Sequence, residues 1–312
     1  PPWAWLALVV GVDVAHVYST MFRTYLDPRA RARHAGALVL VPLLGWGAGA
    51  VVHALSARAF WSALAYLAVF HFVRQQYGFL ALYSRRERGA SKLARAVDRA
   101  AIYLATLYPL VYWHTHLPRN FSWFVAGDFL VVRAPWLERV VFALYVVALA
   151  AYFGKSLRRW ASARELNVPR DLLVAGTALS WYVGIVWLNG DAAFTATNVV
   201  SHGVPYLALV WAYARRHSNA AAAPRLAAML RVRALPVFFG ALVALAFVEE
   251  GFWDGFVWRD HPGIFRVFEA LPRVTDAATL AWLVPLLALP QITHYLLDGF
   301  IWKVRGRESE WA

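Results

Sequence analysis

The feature that most limits what this chain can fold into is its hydropathy profile. Apolar runs of about twenty residues follow one another from end to end, at 3–26, 36–55, 59–83, 97–117, 136–157, 170–188, 194–214, 234–253 and 277–302. An α-helix rising 1.5 Å per residue needs that length to cross the roughly 30 Å hydrocarbon layer of a bilayer. Inside that layer every backbone N–H and C=O must be satisfied by the protein itself, which leaves helices or closed barrels, and continuous rather than alternating apolar runs select helices. The expected fold is all-α: a polytopic integral membrane helical bundle of about nine transmembrane helices, forming a single domain over 1–312. Composition agrees, with 61% hydrophobic and 16% charged residues and a mean hydropathy of +0.48, where a soluble domain is nearer half apolar and a quarter charged. Two stretches, 118–134 and 254–275, are too mixed to span and are expected as interfacial or re-entrant segments.

The formal charge of +13 would suit a nucleic-acid partner, but its placement does not. Arg and Lys gather in 27–35, 84–95, 155–170 and 215–233 and in the tail 303–307, that is, after every odd-numbered run. The connectors near 56–58 and 189–193 are short and weakly charged. Such alternation marks cytoplasmic loops facing anionic lipid. It predicts a bacterial cytoplasmic (inner) membrane protein with its C-terminus in the cytoplasm, whose partner is the lipid bilayer and not nucleic acid. The chain has no cysteine, which excludes disulfides, thiolate metal ligands and cysteine nucleophiles.

Ionisable groups inside apolar runs are expensive and tend to face a bundle interior or cavity. Here they come in pairs on one helix face. Asp13 and His16 are three apart; His71 and Gln75 are four apart, with Arg74 between them; Asn198 and His202, and His294 and Asp298, are again four apart. His114 and His116 close the fourth run, between Pro109 and Pro118. At 1.5 Å per residue, His16, seven residues before Arg23, and His71, fourteen before Arg85, share a mid-membrane layer with His202, thirteen before Arg215, and His294, nine before Lys303. His114 and His116 lie nearer the outer end and join only if their helix bends. The candidate metal ligands are Asp13, His16, His71, His114, His116, His202, His294 and Asp298; Arg74, Gln75 and Asp298 are the candidate catalytic groups. Arg74 is expected to be buried and to need a carboxylate or an anionic substrate group. Glu249, Glu250 and Asp254 at the outer end of the eighth run read as solvated, or as ligating the outer side of the centre. His34, His53, His217 and His261 lie in connectors or at a run's end. Gly45, Gly47 and Gly49, and the pair Gly251 and Gly255, read as sites of close helix packing.

Six histidines and two carboxylates exceed one tetrahedral ion, so the natural count is two transition-metal ions. Nitrogen and oxygen donors without sulfur suit iron, zinc, copper or manganese. Iron implies oxidation of an apolar or amphipathic small molecule entering from the lipid, as in an oxygenase, hydroxylase or desaturase, with a redox partner supplying electrons. Zinc, the runner-up, implies hydrolysis of a lipid ester or amide by metal-bound hydroxide. Haem held by pairs of histidines and a proton- or metal-coupled carrier are the other readings. In its general plan the histidine set resembles membrane desaturases and hydroxylases, yet their HxxxH and HxxHH spacings do not occur here. It is also similar to membrane zinc amidases in joining aspartate to histidine, again without a shared motif.

Overall fold

Helix starts follow caps that the sequence supplies. Asp27, ahead of Pro28, accepts from the Arg29 amide; Ser91 accepts from Ala94, Asn167 from Arg170 and Asp276 from Thr279. Each satisfies one of the amides that a first turn leaves unpaired, and proline at a first position loses nothing there. The computed structural model describes residues 2–85, 87, 91–217, 224–261 and 263–301, and among them there is no strand. The basic tail 303–307, the end of the ninth run and parts of the basic connectors lie outside the described residues.

The long helices are α1 (Trp3–Arg23), α2 (Pro28–Leu55), α3 (Ala57–Ser84), α4 (Lys92–Thr115), α5 (Pro135–Ala163), α6 (Val168–Trp181), α7 (Val200–His217), α8 (Val232–Trp258), α9 (Ala277–Leu287) and α10 (Leu289–Ile301). Four of them, α1, α2, α5 and α8, are long and apolar enough to cross a membrane, and a fifth candidate arises if α9 and α10, bent by 45°, count as one span. By length and composition, four to five of the nine expected spans qualify among the described residues. The difference lies in helices with too many polar groups: α3 carries His71, Arg74, Gln75 and Gln76, and α4 opens with Lys92, Arg95, Asp98 and Arg99. The apolar faces of α2 and α5 point outward, with Val39, Leu43, Leu44, Val146 and Val147 exposed. Such surface suits lipid rather than water.

The chain forms two compact units, Pro1–Leu64 with His202–Ile301, and Ala65–Ser201. In the first, α1 packs on α8 and α10, and α2 packs on α9 and α10. Glycine permits the second contact: a Cβ on Gly45 would lie 2.8 Å from Ile292, and one on Gly49 would lie 2.9 Å from Pro285. Gly47 faces open space. Gly251 and Gly255 pack closely too, but against Phe268 and Leu271 of the segment that follows α8.

In the second unit α4 packs on α5 and α6. Its core is aromatic, with the Trp113 ring 4.5 Å from Phe121, 4.8 Å from Phe129 and 5.2 Å from Phe194. The mixed segment 118–134 thus sends Phe121 and Phe129 into this core, and Asp128 ties its turn by accepting from the Phe124 and Val125 amides. The stretch 155–170, which reads as a basic connector, is instead half of an ion network. The buried Arg170 donates to both oxygens of Glu87 at 2.7 and 2.8 Å, and also meets Asp171 and the Tyr152 hydroxyl. Lys155 binds Asp98, and Arg159 reaches Glu87 at 3.0 Å.

Candidate metal centre

Three helices of the first unit each bring one histidine to the same place. In α1 the backbone widens into π-type turns over Leu6–Val14, two residues before His16; another widened stretch, Thr195–Val199, precedes His202 on α7. Each extra residue per turn re-aims the side chains that follow, and such turns recur at functional sites. Close approach of α7 to α1 depends on Gly203, where a Cβ would fall 2.9 Å from Val12 Cγ1 and 3.4 Å from His16 Nδ1. His294 comes from α10, beyond Pro290.

The three imidazoles are almost fully buried. The His16 ring lies 4.9 Å from that of His202 and 5.0 Å from that of His294, nearly perpendicular to both. One ligand nitrogen from each lies within 4.8 Å of the others, so the cluster could hold a metal ion. Among the described residues neither ring nitrogen of His16 has a hydrogen-bond partner. Leaving such a group dry and unpaired costs about 1–3 kcal/mol, which a coordinated cation removes. Asp13 Oδ1 stands 3.7 Å from His16 Nδ1, too far for a hydrogen bond but close enough to favour a cation beside it.

A second polar layer lies one helical turn further along all three helices. His294 Nδ1 is 2.6 Å from Thr20 Oγ1; Thr20 Oγ1 is 3.0 Å from the Tyr206 hydroxyl; that hydroxyl donates to Asp298 Oδ1 at 2.7 Å. Thr20, Tyr206 and Asp298 follow His16, His202 and His294 by four residues each. Asp298 thus meets the histidine layer through two hydroxyls, and its observed partner is Tyr206 rather than the cluster itself.

Comparison with protein-family models, with curated proteins and with solved structures finds no match. The residues must therefore carry the functional argument.

Other candidates come from other helices. His71 is buried on α3, within the second unit, with half-buried Gln75 one turn on. Arg74 is exposed, contrary to expectation; its guanidinium donates to the Tyr103 hydroxyl at 2.6 Å and lies 5.2 Å from the Tyr77 ring. His114 and His116 belong to the second unit and have partners within it. His114 is held by the Tyr66 hydroxyl at 3.0 Å and the Leu110 carbonyl at 2.6 Å, and His116 stacks on Tyr112 and bonds its carbonyl. Both rings thus bond the carbonyl four residues back on their own helix, and the Tyr112 carbonyl also accepts from the His116 amide.

The eighth-run carboxylates are not solvated: Glu249 and Asp254 are buried. Glu249 accepts from Gln291 at 2.5 Å, and Asp254 Oδ1 ties the following loop through the amides of Asp260 and His261, both at 2.8 Å. A scan of the sequence for ionisable groups passes over Thr20 and Tyr206. The signal was present, since both lie one turn from a histidine on the same face.

Proposed function

We propose that the protein is a membrane-embedded metalloenzyme that uses iron on this cluster to oxidise an apolar or amphipathic small molecule entering from the lipid. The observation that carries the reading is His16, buried between His202 and His294 with both nitrogens unpaired. His71 is the proposed fourth ligand on the strength of its matching depth in the sequence and its burial. With His114 and His116 engaged elsewhere and Asp298 bonded to Tyr206, the donors that remain suit one ion better than two. Ligands of a tetrahedral ion with bonds of about 2.1 Å sit roughly 3.4 Å apart, a spacing that falls inside the 4.8 Å limit within which these nitrogens lie.

Iron on imidazoles supplies oxygen activation. The chain's own groups hold the ligands, exclude water with apolar walls and keep a carboxylate, Asp13, beside His16. A donor set of imidazoles without carboxylate also suits catalytic zinc, so zinc-dependent hydrolysis of a lipid ester or amide is the second reading. The His16 ring centroid lies 4.9 and 5.0 Å from its two neighbours, too close for a haem plane to pass between either pair. Residence in the bacterial inner membrane, nine spans, a cytoplasmic C-terminus and a redox partner belong to the same proposal, supported by the alternating basic connectors.

Elemental analysis of detergent-purified protein tests it. About one equivalent of transition metal is expected. His16→Ala, His202→Ala and His294→Ala should each lower it in folded protein, and His114→Ala should not. Absence of stoichiometric metal after growth with supplemented iron and zinc would overturn the assignment. Full activity with zinc and without oxygen would replace oxidation by hydrolysis.

A further inference from the structure

The layer beneath the histidines has a direction. A carboxylate can only accept hydrogen bonds, so the single hydroxyl hydrogen of Tyr206 points to Asp298. The Thr20–Tyr206 contact at 3.0 Å must then use the hydrogen of Thr20. Thr20 has no second hydrogen, so its 2.6 Å contact to His294 must be donated by the imidazole, from Nδ1–H. A neutral imidazole protonated at Nδ1 carries its lone pair on Nε2, and Nε2 of His294 is the buried nitrogen on the other side of the ring.

We propose that Asp298 is a positioning residue: acting through Tyr206 and Thr20, it fixes His294 as the Nδ1–H tautomer and so presents Nε2 as the metal-binding atom. The sequence makes Asp298 a candidate ligand, a catalytic group or a group that orients a ligand; the three hydrogen bonds favour the last and supply its route. The task explains why a carboxylate sits in an apolar helix one turn from a histidine: a group that only accepts is what sets the polarity of a chain of hydroxyls, each able to turn either way. Neutral carriers of the same shape, such as a second threonine, would leave both directions open. The helical spacing is part of the device. Each of α1, α7 and α10 contributes one histidine and, four residues on, one member of the chain, so the ligand layer and the polarity layer are fixed by the same three helices. The proposal rests on the metal-site reading for its purpose but not for its geometry.

The test uses the full chain in detergent, metal-free after chelation, with nitrogen-15-labelled histidine, and then zinc or cobalt ion alone as the probe. In the unsubstituted protein the His294 resonances should report Nδ1–H. Asp298→Leu removes the acceptor and frees Tyr206 to donate toward Thr20. Nε2–H should then become populated, and zinc affinity should fall about 10–100-fold, as when the partner that orients a ligating histidine is lost. Tyr206→Phe and Thr20→Val should shift the tautomer as well, so the test survives if one variant fails to fold. Asp298→Asn, whose amide can accept through its oxygen or donate through its nitrogen, should populate both tautomers and give an affinity between those of the unsubstituted protein and Asp298→Leu, a graded response that a merely structural role would not give. Unchanged tautomer and affinity in Asp298→Leu and Tyr206→Phe would overturn the proposal. If the unsubstituted protein bound neither metal while His294 remained Nδ1–H and responded to these variants, the metal reading would fail and the polarity argument would stand.

Discussion

Gly203→Ala is a perturbation of a single methyl group whose effect can be worked from the coordinates. The added carbon would lie 2.9 Å from Val12 Cγ1, 3.3 Å from the Val12 carbonyl oxygen and 3.4 Å from His16 Nδ1. Carbon contacts are comfortable from about 3.5 Å, so α7 and α1 must part by roughly 0.6 Å. Val12 is β-branched and cannot turn aside cheaply. Overpacking of this kind costs about 1–3 kcal/mol, while alanine returns up to about 1 kcal/mol of helix propensity. The net loss of stability is then about 0–2 kcal/mol, small enough for the protein to remain folded. Metal binding should suffer more, because His202 is the next residue and ligands must be held to about 0.5 Å. Zinc affinity by chelator competition, alongside thermal unfolding of the metal-free protein, separates the two effects. We expect affinity to fall at least tenfold, and Val12→Ala combined with Gly203→Ala to recover part of it by removing the closest atom. Affinity equal to that of the unsubstituted protein would show that the α1–α7 contact does not set the His16–His202 geometry.

Two further predictions concern other parts of the molecule. Arg170→Met should destabilise by about 3–5 kcal/mol, because Glu87 and Asp98, little exposed, and Asp171 would lose their common cation; thermal or denaturant unfolding measures this, and a change below 1 kcal/mol would mean that Lys155 and Arg159 suffice. Asp276, which caps α9 through the amide and hydroxyl of Thr279, both at 2.7 Å, has a carboxyl held below its ordinary value of 3.8 by those hydrogen bonds. A depressed folded pKa means that the cap stabilises above the unfolded value and is lost as pH falls through the folded one. Protection of the Thr279 amide relative to its intrinsic exchange rate should therefore fall below pH 3.8, and Asp276→Asn should flatten that dependence.

Much of the site was legible in the sequence because helical periodicity and depth are both linear in residue number. Counting residues back from the basic connectors put His16, His202 and His294 in one layer, and the structure brings these three together. The same arithmetic misjudged Arg74, because depth along a helix says nothing about which side of it faces outward. It left His114 and His116 open, since a histidine in a last helical turn competes for its own helix's carbonyls. The nine-span count rested on apolar runs alone, and the charged opening of α4 and the polar middle of α3 depart from that criterion. The Arg170 network was hidden because its acids, Glu87, Asp98 and Asp171, come from three separate segments and read singly as surface charges.

Hydroxyls escaped attention for a different reason. A sequence scan for expensive groups weighs charge, and threonine and tyrosine cost little in an apolar helix when a backbone carbonyl or a neighbour satisfies them. Their information is directional rather than energetic: which atom donates is fixed by the group at the end of the chain, here Asp298, four residues from the histidine whose tautomer it sets. The costly residue that draws the eye in "THYLLDGF" is therefore the source of the order, and the inexpensive ones, on two other helices, transmit it. A search of apolar helices for histidine followed at the fourth position by Thr, Tyr or Asp, on several helices of one chain, would find this arrangement where a search for clustered histidines would not.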